Sequence, residues 1–144
     1  MWVVFWAGLH RFIWDVINVT ISPSLLITDD DRGFRESLRD VFQPRGFRTL
    51  LASDGEEALR IVQKDEIHLV LIDMHMPRLC GRDAIAQIKR VKACLPCILI
   101  SGQLDDEIRK SVDAFDVLAK PINVNEVTST VSEALRVTYD WAAR

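Results

Sequence analysis

The sequence predicts an α/β protein: a doubly wound, five-stranded parallel sheet with helices on both faces. Three observations lead there. Short apolar runs such as Leu69-Val70-Leu71-Ile72 are too continuous for strands with one wet face. Between them, apolar residues recur at helical spacing, and strand and helix alternate five times with short connections. Strands buried on both sides and joined by amphipathic helices are parallel strands linked by crossovers. With right-handed crossovers, the commonest five-strand arrangement is the flavodoxin-like order 2-1-3-4-5.

The elements follow in order. Leu25 to Thr28 is the first strand, ending at Asp29-Asp30-Asp31. Phe34, Leu38, Val41 and Phe42 mark the inner face of the first helix, which Gln43-Pro44-Arg45-Gly46 stops. Asp31 reads as a helix N-cap or a solvated charge. Phe47 to Ala52 is the second strand, and Ser53-x-x-Glu56 is a capping box for a helix with Ala58, Leu59 and Val62 inside. The third strand, His68 to Ile72, stops on Asp73; its helix begins after Gly81 and turns Ala84, Ile85, Ile88 and Val91 inward. Pro96 introduces the fourth strand, Cys97 to Ile100, ending at Ser101-Gly102. A short helix covers about Asp105 to Val112, and the fifth strand, Asp116 to Ala119, ends at Lys120-Pro121. Asn123-x-x-Glu126 opens the last helix, through Val127, Val131 and Leu135. The domain is assigned to residues 23–138, with 139–144 as a C-terminal tail.

Residues 1–22 are an apolar extension. Trp2, Trp6, Leu9, Ile13 and Ile17 fit one helical stripe. Arg11 and Asp15 interrupt it, so it falls short of a spanning helix. It has neither the basic start nor the cleavage site of a signal peptide. The plain readings are a helix packed on the domain or a loose extension; the sharper ones are contact with a partner or a membrane surface through residues 1–21.

Composition narrows the function. A chain of 144 residues supports one domain with a real core. A net charge of −3 gives no reason to expect direct nucleic-acid binding. Three cysteines, an odd number, suit a reducing cytoplasm better than a disulfide framework. In Cys94-Leu95-Pro96-Cys97, the redox pattern stands before a strand and not before a helix, so Cys97 reads as core and Cys94 as a loop thiol. No second ligand pair has zinc spacing. His68 opens a strand and reads as structural.

Ligands of open parallel sheets bind beyond the strands' carboxyl ends. Asp29, Asp30, Asp73, Ser101 and Lys120 all stand at such ends. Strands one and three are neighbours in the expected order, so three carboxylates converge. Two unit charges about 4 Å apart repel by on the order of 4 kcal/mol at an effective dielectric of 20. Retained protons or a cation must offset that, with help from Lys120. Hard oxygen ligands without a His or Cys cluster favour Mg²⁺. Mg²⁺, a carboxylate nucleophile, a hydroxyl and a lysine suit phosphoryl transfer, with Asp73 attacking phosphorus.

The motifs "LLITDDD", "DGEEAL", "LVLIDMHMPRLCG", "PCILISG" and "DVLAKP", from about Leu25 to Leu135, resemble the receiver domains of two-component response regulators. The resemblance implies that Asp73 is the phosphoacceptor and that a histidine kinase or phosphotransfer protein is the donor. It implies Mg²⁺ held by Asp30 and Asp73, by Asp29 mainly through water, and by the His75 backbone carbonyl. Ser101 takes the conformational-switch position and Lys120 that of the phosphate-binding lysine. Pro77 and Gly81 fit the family pattern. Such a domain catalyses only its own phosphorylation and dephosphorylation, and is not an enzyme on outside substrates.

Three departures stand out. Val117 replaces the family's usual aromatic residue three positions before the lysine. The segment from Ser101 to Lys120 is shorter than usual, and the usual glycine before the fifth strand is absent. Little chain follows Leu135, so no effector domain is expected, and output would run through a downstream protein, a homodimer, a phosphorelay or the N-terminal segment. The alternative is a phosphorylation-independent interaction module of receiver type. A small phosphatase is disfavoured, because His75 stands where a second acid would be needed.

Overall fold

A computed structural model describes residues 22–103 and 105–141. The expectations for residues 1–21 therefore fall outside the described residues. Five strands form one sheet: β1 (Ser24–Thr28), β2 (Arg48–Ala52), β3 (Leu69–Asp73), β4 (Cys97–Ser101) and β5 (Asp116–Ala119). All pairings are parallel and the order is β2-β1-β3-β4-β5, as the sequence predicts. Among the described residues, five α-helices connect and cover them: α1 (Arg32–Phe42), α2 (Gly55–Lys64), α3 (Gly81–Val91), α4 (Asp106–Ser111) and α5 (Val124–Tyr139).

The pleat sorts the strands' side chains into two cores. Leu25, Ile27, Leu69, Leu71, Ile98 and Ile100 face α1 and α5, meeting Leu38, Phe42, Val127, Val131 and Leu135. Leu26, Val70, Ile72, Cys97, Leu99 and Val117 face the other way, against Ala58 and Val62 of α2 and Ala84, Ile85 and Ile88 of α3. Fully burying one such aliphatic side chain stabilises by about 1.5–3 kcal/mol, so both layers hold the strand ends in place.

Local signals shift in three places. The capping box of α2 lies one residue later than Ser53 and Glu56: Asp54 is the N-cap and accepts from the Glu57 N–H. Glu57, now at the third helical position, reaches back to the N–H and hydroxyl of Ser53. Asp54 thus satisfies the Glu57 N–H, an orphan donor of the first turn, while Glu57 bonds Ser53, the residue before the cap. Val91 does not turn inward but is 46% exposed, because α3 ends there and Lys92 leaves helical geometry. The last helix extends through Tyr139, and Tyr139 and Trp141 pack against His68 with ring centroids 5.8 and 4.9 Å away. Those two residues belong to the packed body and not to a loose tail.

The stop after α1 is a short 3₁₀ turn, Gln43–Arg45, closed by Gly46 at φ 89°. Only glycine adopts that left-handed geometry cheaply. Among the described residues, no helix is long and apolar enough to cross a membrane.

Candidate functional site

The sheet's carboxyl edge brings the predicted residues together. Thr28 pairs with Ile72 across β1 and β3, so Asp29, next after β1, lies beside Asp73 at the end of β3. One carboxylate oxygen from each of Asp29, Asp30 and Asp73 falls within 4.8 Å of the others. Asp29 and Asp73 are buried, and Asp30 is exposed at the mouth. From the far edge, Lys120 reaches across. Its Nζ lies 2.9 Å from Asp73 Oδ1 and 3.1 Å from Asp29 Oδ2. The Lys120 N–H donates to the Ser101 carbonyl, fixing where the lysine leaves the sheet.

Several main-chain groups hold these side chains. Asp29 Oδ1 accepts the Asp31 N–H at 2.8 Å, and the Arg35 guanidinium donates to the Asp29 carbonyl. Asp31 is the N-cap of α1, accepting from the Phe34 N–H. After Asp73 the chain turns back, and the Gly81 N–H donates to the Met74 carbonyl. A Cβ on Gly81 would stand 2.2 Å from the Asp73 carbonyl oxygen. Only glycine allows α3 to start this close to the end of β3.

Burial pushes the Asp29 carboxyl above its usual range and the Asp73 charge adds to it, while the Asp31 N–H and Lys120 oppose both. Burial works against the charge on Lys120, but hydrogen bonds and attraction to Asp73 and Asp29 outweigh it, so its pKa is raised. Three carboxylates thus face one ammonium. An all-oxygen donor set with excess negative charge fits Mg²⁺, which takes carboxylates and keeps several waters.

Ser101 is fully buried at the end of β4, where its hydroxyl donates to the Gln103 carbonyl at 2.7 Å. His75 lies in the loop after β3 with its side chain exposed. Val117, on the edge strand β5, is buried in the core on the α2–α3 side of the sheet, a small aliphatic fill. Cys97 is buried, and burial pushes its thiol up to about 12, which removes it from thiolate chemistry at neutral pH. One contact was not legible in the sequence: the Phe34 ring lies under Lys120, 4.3 Å from Nζ. Its helical spacing marked Phe34 as core only, and no short motif signals a ring–ammonium pair between residues so far apart.

Comparison with known proteins agrees with this geometry. Residues 25–132 match the family model of the response regulator receiver domain. The chain is 32% identical to sporulation initiation phosphotransferase F of Bacillus subtilis over 118 residues, covering 80% of this chain and 95% of that protein. It is also 32% identical to the transcriptional regulatory protein YcbL of the same organism, covering 82% of this chain but 53% of that protein. It therefore spans about half the length of YcbL and nearly all of the phosphotransferase. A solved complex, CheX-CheY-BeF₃-Mg²⁺ from Borrelia burgdorferi, contains a chain superposing with TM-score 0.79 at 25% identity, covering 83% of this chain and 93% of that one. The signal receiver domain of an HD domain-containing protein from Pseudomonas fluorescens Pf-5 matches the fold with TM-score 0.79 at 22% identity, over 83% of this chain and 99% of that one. With sheet order, edge chemistry and family match in agreement, the chain belongs to the receiver domains of two-component response regulators.

Proposed function

We propose that this receiver domain accepts a phosphoryl group on Asp73 in the presence of Mg²⁺ and signals through protein–protein contact. The observation that carries it is Lys120 bridging Asp73 and Asp29, two members of a three-carboxylate cluster completed by Asp30. The donor is a histidine kinase or a phosphotransfer protein, and the setting is cytoplasmic. The functional unit is the domain assigned to residues 23–138, together with Tyr139 and Trp141, which pack against His68.

An Asp73 oxygen attacks phosphorus as the P–N bond of a donor phosphohistidine breaks, and the electron pair stays on the imidazole. Lys120 already lies against Asp73 Oδ1 and offers its ammonium to the charge on the phosphoryl oxygens. Asp29, Asp30, Asp73 and the His75 carbonyl would hold Mg²⁺, which supplies neutralisation of phosphoryl and carboxylate charge. Ser101 contributes its hydroxyl to the phosphoryl group once it leaves Gln103. Water attack on phosphorus later regenerates Asp73.

Incubation with acetyl phosphate and Mg²⁺, followed by intact mass, tests this. One added phosphoryl group is expected, and none in Asp73→Asn or in excess chelator. A gain retained by Asp73→Asn would refute the assignment. Signalling by contact is tested by loading beryllofluoride and measuring oligomeric state and partner affinity. No change at full occupancy would favour a phosphorylation-independent module.

A further inference from the structure

We infer that Phe34 is a positioning residue for Lys120: its ring carries the ammonium across the mouth of the site and holds it on Asp73. This inference rests on the reading of Asp73 as phosphoacceptor. Four contacts close a circuit. Lys120 Nζ pairs with Asp29 Oδ2, and Asp29 Oδ1 accepts the Asp31 N–H. Asp31 Oδ1 then accepts the Phe34 N–H at 3.1 Å, and the Phe34 ring lies 4.3 Å beneath Nζ. The helix cap that starts α1 therefore also sets the height of the ring.

The chemistry gives the circuit a purpose. A lysine is a point charge on a flexible four-carbon stem and loses much rotamer freedom when fixed. The Lys120 side chain is 31% exposed, whereas those of Asp29 and Asp73 are 2% and 6% exposed. Water thus competes for the ammonium on the side that the carboxylates leave open. The negative face of an aromatic ring attracts a cation there without accepting its proton or bonding the incoming phosphoryl oxygens. A leucine at 34 fills comparable apolar space but has no such face, and this separates a packing role from a positioning one.

The test compares wild type, Phe34→Leu and Phe34→Tyr. In the NMR spectrum the Lys120 ε protons of wild type and Phe34→Tyr are expected upfield, shifted by the ring current, and those of Phe34→Leu near ordinary lysine values. With acetyl phosphate and saturating Mg²⁺, Phe34→Leu is expected to be phosphorylated about three- to tenfold more slowly, the range a partly exposed cation–π contact implies. Phe34→Tyr is expected near the wild-type rate, and Mg²⁺ affinity equal in all three. Equal rates for Phe34→Leu and wild type would overturn the inference, as would a Phe34→Tyr no faster than Phe34→Leu. A Mg²⁺ affinity that falls along with the rate would also overturn it, since the loss would then be of the site as a whole. A wild-type chain that takes no phosphate removes the phosphoacceptor reading itself, an outcome the variants play no part in.

Discussion

At the scale of single residues, Asp29 shows what it costs to assemble the site. Its carboxyl is buried beside Asp73, and burial first, then that neighbouring charge, raise its pKa above 3.8. The folded chain thus holds this proton more tightly than the unfolded chain does. The contribution to stability is full below the unfolded value and is lost as pH rises through the raised one. Ionising Asp29 is therefore less favourable in the fold than in the unfolded chain. Asp29→Asn removes the charge while keeping an acceptor for the Asp31 N–H. It is expected to raise the Tm by about 2 to 4 °C in chelator, the shift that a gain of under 1 kcal/mol gives in a domain of this size. Added Mg²⁺ should then stabilise wild type more than the variant. A scanning calorimeter decides this, and a lower Tm in chelator would show that the Lys120 pair outweighs the burial. Asp31 teaches the converse lesson. The sequence left it as cap or solvated charge, and only its place beneath the Phe34 N–H makes it the cap.

At the scale of elements, the loop from Asp73 to α3 carries the tightest constraint. Arg78 adopts φ 68° there, a left-handed conformation rare for a side-chain-bearing residue, and its guanidinium lies 3.0 Å from Asp54 Oδ2. Asp54 in turn caps α2, so one carboxylate ties two loops together beside the site. The start of α3 depends on Gly81. With a Cβ 2.2 Å from the Asp73 carbonyl oxygen, Gly81→Ala must move either the strand end or the helix. A cost of about 2 to 4 kcal/mol is expected in urea unfolding, within the upper range for overpacked interiors. Because the moved atom belongs to Asp73, the proposed phosphoacceptor, phosphorylation should slow even where the fold survives. An unchanged urea midpoint would show that the helix start relaxes freely. Sequence spacing flagged Gly81 through a family pattern, but the reason lies in a contact across eight residues that no spacing displays.

At the scale of the whole molecule, the two poles of the sheet differ in chemistry. The carboxyl pole gathers acids and a lysine, while the opposite pole is aromatic. There His68 Nδ1 accepts the Ser24 N–H at 2.8 Å, the Tyr139 hydroxyl donates to the His68 carbonyl, and Tyr139 stacks on Trp141 at 4.6 Å. Burial pushes the Tyr139 hydroxyl and the Cys97 thiol each up to about 12, from ordinary values of 10.0 and 9.0. Both groups are neutral in the fold and ionise more easily in the unfolded chain. Their contribution is full below the unfolded values and is lost as pH rises toward the folded ones. The urea midpoint should therefore decline from about pH 9 to about pH 12. Tyr139→Phe should decline less steeply, though it starts about 1 kcal/mol less stable for lack of its hydrogen bond. Equal slopes for the two proteins would place the alkaline sensitivity elsewhere.

The sequence by itself determined the sheet, its order and the residues at its carboxyl edge. Continuous apolar runs and helical periodicity are local properties, and parallel crossovers leave few ways to combine them. It also pointed to Asp29, Asp30, Asp73, Ser101 and Lys120 as one group, since strand ends converge in any such fold. The tertiary structure alone decided how these side chains meet. Lys120 is 91 residues from Asp29 along the chain yet hydrogen-bonds to it, and the Phe34 ring beneath the ammonium comes from a helix that the hydrophobic pattern marks only as apolar. It also decided the inward fate of Val117, the exposure of Val91 and the packing of Tyr139 and Trp141. In each case the outcome depends on what lies across the sheet or beyond a helix end, and the pattern along a single element carries no record of that.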